Sequence, residues 1–264
     1  MRKVAVVTGA SRGIGREIAC RLIKEGYRVY GLCRTVPEKK MGIRFVACDV
    51  SVKESVDKAF ERILEREKQI HVLINNAGMG ISGAVEFSSE EEIEKQLSVN
   101  LKGSVWCAQA VIPSMRTARW GKILFISSLG AIFPLPFQSF YSVSKAGLNA
   151  FSDALGIEMR PFHVSTCTVM LNDVKTEFTD YREKCFAGDG LYHGRIARSV
   201  GKMEASERKG MEPDRVAKEV VRLLGKRKLP SHVIVGASNQ LLGLLNRLLP
   251  TEIVLRLLAV LYAS

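Results

Sequence analysis

The apolar run Val4-Ala5-Val6-Val7 passes through Thr8 into the glycine-bearing turn GASRGIG (9–15) and then into REIACRLIKEG, which has helical periodicity. A strand, a tight turn and a helix N-terminus in immediate succession constrain this chain more than any other feature. Free backbone N–H groups at such a helix start, together with the helix dipole, favour an anion. Glycines let a pyrophosphate approach the backbone. The spacing of Gly9, Gly13 and Gly15 is wider at its start than GxGxxG, and no Gly-Lys-Ser/Thr follows, which excludes a P-loop.

The same alternation continues along the chain. VAVV (4–7), YRVYGL (27–32), RFVAC (44–48), HVLI (71–74), KILFIS (122–127), VSTCTV (164–169) and HVIV (232–235) read as strands, with helices expected at 13–25, 52–68, 90–116, 140–159 and 213–225. Strands that are apolar on both faces and separated by helices imply a parallel sheet covered on both sides. The expectation is therefore an α/β chain forming one domain over 1–264: a doubly wound Rossmann fold with about seven parallel strands and helices on both faces. Two segments break the rhythm. Residues 176–212 are polar and mixed, too long for an ordinary connection, and are expected to form a lid over a site. The extension 236–264 contains an apolar tract at 241–262 that Asn246, Arg247, Pro250, Glu252 and Arg256 interrupt. No run of about 20 uncharged residues is left to cross a bilayer.

The net charge of +12 favours anionic ligands. The basic residues are scattered, however, with the densest clusters at Lys39-Lys40 and Lys226-Arg227-Lys228, and no groove-reading helix is evident. No nucleic-acid partner is expected. The six cysteines show neither CxxC nor Cys/His ligand spacing, so no metal site and no disulfide framework are expected. Reduced thiols, and an N-terminus with only four apolar residues after Met1-Arg2-Lys3, point to a cytoplasmic protein.

Three motifs in order, TGASRGIG (8–15), NNAG (75–78) and YSVSK (141–145), resemble the short-chain dehydrogenase/reductase family over roughly residues 1–176 and the last strand. The resemblance extends to its NADP-preferring 3-oxoacyl reductases and hydroxysteroid dehydrogenases. It implies an oxidoreductase that moves a hydride between NADP(H) and a carbonyl or alcohol. By the same resemblance, Gly9, Ser11, Arg12, Gly13, Ile14 and Gly15 cradle the pyrophosphate, and Asp49 and Val50 lie beside the adenine. Asn76, Ala77 and Gly78 form the cofactor wall, while Val174 and Thr176 meet the nicotinamide carboxamide and phosphates. The catalytic group it implies is Ser128, Tyr141, Lys145 and Asn100, with Tyr141 and Lys145 also touching the cofactor. Asn100 resembles the family's helix-interrupting residue, whose backbone holds a water linking the lysine to solvent.

The chemistry of these residues agrees with that assignment. Gly31-Leu32-Cys33-Arg34 ends the second strand with no acid for a ribose 2′-OH, and Arg34 offers a forked guanidinium to a 2′-phosphate. Arg12 is a second cation for it, so the cofactor expected is NADP(H). Tyr141 and Lys145, four apart, share a helix face, and the small neighbours Ser142, Ser144, Ala146 and Gly147 leave room for the cofactor. A phenol with a pKa near 10 relays protons poorly at neutrality. A close ammonium is expected to lower that pKa, making Tyr141 a general acid or base. Ser128, at a strand end, can stabilise a developing alkoxide, with Ser127 as the neighbouring alternative.

Two departures from the family pattern stand out. Leu171-Asn172-Asp173 replaces the usual Pro-Gly. Asn172 would tolerate left-handed backbone there, and Asp173 is expected to weaken binding of a polyanion. The C-terminal extension is expected to roof the substrate site, to build a homodimer or homotetramer, or to rest on a membrane surface through 241–262. With it, the substrate expected is lipophilic, steroid-like or acyl-chain-like. The alternative function is an NADP(H)-binding regulatory or sensor protein with little turnover; such proteins usually lose the Tyr or the Lys, and both are present here.

Overall fold

A computed structural model describes residues 2–262. The elements run β1 (Val4–Thr8), α1 (Gly13–Lys24), β2 (Arg28–Cys33), β3 (Arg44–Ala47), α2 (Lys53–Glu67), β4 (Val72–Asn75), β5 (Ile81–Ser82), α3 (Glu90–Leu97), α4 (Gly103–Ala118), β6 (Gly121–Ser128), α5 (Ser139–Glu158), β7 (Val164–Leu171), β8 (Glu183–Lys184), α6 (Arg195–Arg208), α7 (Pro213–Leu224), β9 (His232–Ile234), α8 (Ala237–Leu248) and α9 (Thr251–Tyr262). Seven strands form one parallel sheet in the order β3-β2-β1-β4-β6-β7-β9. This is the doubly wound α/β arrangement expected, and all seven predicted strands belong to it.

The uninterrupted apolar strands follow from burial on both faces. Val4 and Val6 point into one core with Leu32, Ile123 and Phe125, under α2, α4 and α5. Ala5 and Val7 point into the other with Val29, Ile74 and Leu124, under α1 and α7. Side chains alternate along a strand, so a strand between two helical layers has no polar face to show. The chain winds outward in both directions from β1 and β4, which pair in parallel with Val7 beside Ile74. At that switch point the carboxyl ends of the strands open a crevice.

Three segments carry detail that the sequence reading leaves open. The helix expected at 90–116 is α3 and α4 joined by a π-helical turn, Ser98–Lys102, with Asn100 at its centre. The 176–212 segment is ordered by β8, which pairs with β5, and by α6. Its apolar stripe, Ile196, Val200 and Met203, closes a third small core with Phe87, Phe137, Tyr192 and Tyr262. The apolar tract 241–262 falls on two helices, because Leu249 is extended (ψ 140) before Pro250 and a proline ring disfavours helical geometry in the residue ahead of it.

Candidate active site

The turn after β1 is held by the chain's own hydrogen bonds. Gly9 takes a left-handed conformation (φ +64), and its N–H donates to the Leu32 carbonyl at 2.8 Å. Asn76 Nδ2 donates to the Thr8 carbonyl, and the backbone N–H groups of Asn76 and Ala77 both donate to Thr8 Oγ1, each at 2.9 Å. These bonds lock the ends of β1 and β4 side by side. No side chain caps α1 and no acid lies in its first turn, while the Glu177 carboxylate comes within 3.5 Å of where a Cβ on Gly13 would stand. Val174 is bridged to Met211, and the Thr176 side chain lies 3.5 Å from where a Cβ on Gly13 would stand. Ser11, Ile14 and Gly78 line the same cleft.

At its far end, Arg34 is exposed beside the cleft with no ion-pair partner among the described residues. Arg12 is also exposed, its guanidinium 3.6 Å from the centroid of the Tyr181 ring. Asp49 is turned back on its own loop, accepting from the Ser51 N–H and hydroxyl at 2.9 and 2.6 Å, while Val50 packs against Gly103 of α4. Asp173 faces α6: its Oδ2 accepts from Ser206 Oγ at 2.6 Å and Asn172 Nδ2 at 3.1 Å, and burial raises its carboxyl. Asn172 keeps a negative φ, so this turn forms without the left-handed residue expected there.

Ser128, Tyr141, Lys145 and Asn100 come together beneath the cleft. Lys145 is buried, its Nζ donates to the Ile126 carbonyl at 2.9 Å, and it lies 5.7 Å from the Tyr141 ring centroid. Burial lowers its pKa to about 8. The Tyr141 phenol departs from expectation. Burial raises it, a hydrogen bond with Ser128 pulls it down, Glu207 pushes it up and Arg182 pulls it down, and the net shift is upward. Desolvation of the phenolate therefore outweighs the stabilisation expected from the neighbouring ammonium. Ser127 turns into α5, donating to Asn149 Oδ1 at 2.8 Å, which leaves Ser128 as the serine beside Tyr141.

Asn100 is fully buried; its Oδ1 accepts from the Met79 N–H at 2.8 Å, and its Nδ2 donates to the Met79 carbonyl and to Ser144 Oγ at 2.9 and 3.1 Å. Ser144 Oγ in turn donates to the Tyr141 carbonyl at 2.7 Å. The π turn thus fastens the loop after β4 to the helix that carries Tyr141 and Lys145.

Several neighbours of Tyr141 were not anticipated. Phe178 sits 6.2 Å away, centroid to centroid. The Arg182 side chain, 1% exposed, pairs with Glu207, which also accepts from Thr179 Oγ1 at 2.7 Å. In sequence these charges read as a solvated polar segment, and only the periodic stripe of α6 hints that the segment folds inward.

The cleft has a volume of about 840 Å³, within the range of small-molecule sites. Its floor holds the glycine turn and the Tyr141 group. Its outer wall is apolar, with Leu242, Leu245, Val254 and Leu258 of the last two helices and Leu249 between them. The residues present suit a dinucleotide: a backbone cradle, a helix start and an unpaired guanidinium at one end, and a proton-bearing phenol at the other.

A family model described as short chain dehydrogenase matches residues 3–185. A 3-ketodihydrosphingosine reductase of Bacteroides thetaiotaomicron is 38% identical over 242 residues, covering 91% of this chain and 90% of the relative. An NADPH-dependent 1-acyldihydroxyacetone phosphate reductase of Saccharomyces cerevisiae is 30% identical over 234 residues, with 84% and 78% covered. Among solved structures, a short-chain dehydrogenase from Streptomyces avermitilis superposes with a TM-score of 0.83 at 26% identity, covering 94% of this chain and 93% of that one.

Proposed function

The chain belongs to the short-chain dehydrogenase/reductase family, and from that premise we propose that it reduces the ketone of an acyl-chain lipid with NADPH. The observation that carries this reading is the Tyr141 phenol, hydrogen-bonded with Ser128 and set at the foot of a cleft walled by leucines. A phenol shifted upward keeps its proton at neutral pH, which suits an acid in reduction better than a base in oxidation. Both relatives are named as reductases, one of a keto compound and one of an acyl compound.

In this mechanism Gly9 to Gly15, Asn76, Gly78 and Thr176 hold the dinucleotide, with Arg34 and Arg12 on its 2′-phosphate. Reduced nicotinamide supplies the hydride. Ser128 holds the ketone oxygen by its hydroxyl, and Tyr141 gives that oxygen its proton as charge develops there. Lys145 stabilises the resulting phenolate, and Asn100 fixes the helix on which both stand. The 176–212 segment serves as a lid over the substrate end, in one domain with the C-terminal extension as its outer wall.

NADPH oxidation followed by nicotinamide absorbance, against ketones of increasing chain length, tests the proposal. Turnover should rise with chain length. NADPH binding without turnover on any ketone would instead favour the sensor reading.

The pH profile follows from Lys145, which is cationic below about 8 and neutral above it. Phenolate stabilisation is present while the lysine is charged. We expect kcat/KM for reduction to be level near neutrality and to fall as pH rises through about 8, and a Lys145→Met variant to be slower and to lack that descent.

Arg34→Ala should weaken NADPH binding and leave NADH binding unchanged. A charge-assisted contact contributes about 1.5–3 kcal/mol, so the NADPH dissociation constant should rise roughly ten- to a hundredfold. Equal losses for the two cofactors would remove Arg34 from the 2′-phosphate.

A further inference from the structure

The outer face of the last two helices is the largest feature that the reductase reading leaves unused. Of the nineteen exposed large hydrophobic side chains among the described residues, ten belong to α8 and α9, and six of these, Leu241, Leu244, Leu248, Ile253, Leu255 and Val260, lie outside the cleft. Scattered single apolar residues on a surface need no explanation, whereas a concentration of this kind marks something that covers it.

The faces of α8 divide cleanly. One anchors the helix to β9: Asn239 Nδ2 donates to the Val235 carbonyl at 2.7 Å, Gln240 Nε2 donates to the Ile234 carbonyl at 3.1 Å, and Gly243 lets the helix close on Ile234. A second face, Leu242 and Leu245, lines the cleft together with Leu249 just past the helix end. A third, Leu241, Leu244 and Leu248, lines nothing and is 57%, 53% and 71% exposed. On α9, Val254 and Leu258 look into the cleft while Ile253 and Leu255 are exposed outside it.

Charge distinguishes between the partners that could cover this surface. Arg247, three residues from Leu244, and Arg256 are exposed and have no ion-pair partner among the described residues, against a single acid on the two helices, Glu252. Lys202 of α6 adds a cation beside the end of α9, its Nζ donating to the Leu261 carbonyl at 3.3 Å. A second copy would bring the same arginines and the same net charge of +12 against them. An anionic surface complements both the leucines and the cations.

Each helix has only 12 residues, and no helix among the described residues is long and apolar enough to cross a membrane. Short helices with an apolar face beside cations lie in the plane of a lipid interface, with the arginines reaching the phosphates. We propose that α8 and α9 dock this face on an anionic bilayer surface, which sets the leucine-lined wall of the cleft at the lipid boundary. The proposal deepens the lipid-ketone reading by naming where the substrate enters.

Flotation of the full chain with vesicles of phosphatidylcholine and phosphatidylglycerol tests the docking without any turnover, so its failure is separable from failure of the reductase reading. The protein should float with the anionic vesicles, much less with pure phosphatidylcholine, and less as salt is raised. Leu244→Glu/Leu248→Glu should lower binding at least roughly tenfold, and Arg247→Gln and Arg256→Gln roughly fivefold each. All variants should keep the parent's thermal midpoint and its activity on a short, water-soluble ketone. Absence of flotation, or equal flotation on neutral vesicles, overturns the proposal. So does sedimentation as a dimer that Leu244→Glu/Leu248→Glu converts to monomer, which would assign the face to a second copy.

Discussion

Tyr141→Phe should lower kcat for ketone reduction by roughly 10²–10⁴-fold, the usual contribution of a positioned general acid. NADPH affinity, read by nicotinamide fluorescence, should stay at the parent value. The substitution removes one oxygen from a half-buried ring that packs beside Phe178 and leaves the glycine turn untouched. Ser128 keeps its bond from the Gly130 N–H at 3.0 Å, so its hydroxyl remains where it was. The deficit should therefore fall on the chemical step, with single-turnover and steady-state rates reduced alike. Turnover within tenfold of the parent would take Tyr141 out of the mechanism and leave another donor to be found near Ser128.

Gly15→Val should have a comparably large effect by a different route. A Cβ at this position would stand 2.5 Å from Asn76 Nδ2 and well inside contact distance of the Gly9 carbonyl oxygen. Neither neighbour can give way freely. The Gly9 N–H is bound to Leu32, and Asn76 is bound to Thr8. Relief must come from displacing the start of α1 or breaking the turn, and either change scatters the N–H groups proposed to meet the pyrophosphate. Loss of one or two such contacts, at about 1.5–3 kcal/mol each, lowers NADPH affinity by up to several orders of magnitude. Overpacking costs about 1–3 kcal/mol of stability, or roughly 2–4 °C in Tm per kcal/mol for a chain of this size. Isothermal titration and a thermal melt would measure both, and parent-like NADPH affinity would contradict the assignment of this turn.

Much of this architecture was legible in the amino-acid order because the relevant signals are local. A strand buried on both faces must be apolar throughout, which made VAVV and KILFIS readable. Tyr141 and Lys145 are brought together by helix periodicity alone. The features that were not legible depend on distant partners. The upward direction of the Tyr141 shift is set by burial, with Glu207 adding to it and Ser128 and Arg182 opposing it, and both charges arrive from the 176–212 segment. Asp173 looked like a repulsive charge until Ser206, 33 residues on, took its carboxylate. Helix α6 was hidden by composition. Its stripe at 196, 200 and 203 has helical spacing, but the charges around it masked the period. Pro250 was noticed as an obstacle to spanning a bilayer, yet its local effect, two helices where one apolar tract was read, became apparent only in the structure.

The pairing of β5 with β8 has a mechanical consequence. The Glu183 N–H donates to the Gly80 carbonyl at 3.0 Å and the Cys185 N–H to the Ser82 carbonyl at 2.7 Å, stitching this part of the segment to the loop that Asn100 fastens. Beyond the stitch, Gly188 and Gly194 adopt left-handed turns before α6 begins. Helix α6 is nonetheless tied back across those turns by the Arg182–Glu207 pair and by Ser206 on Asp173, so the segment is fastened at both its ends.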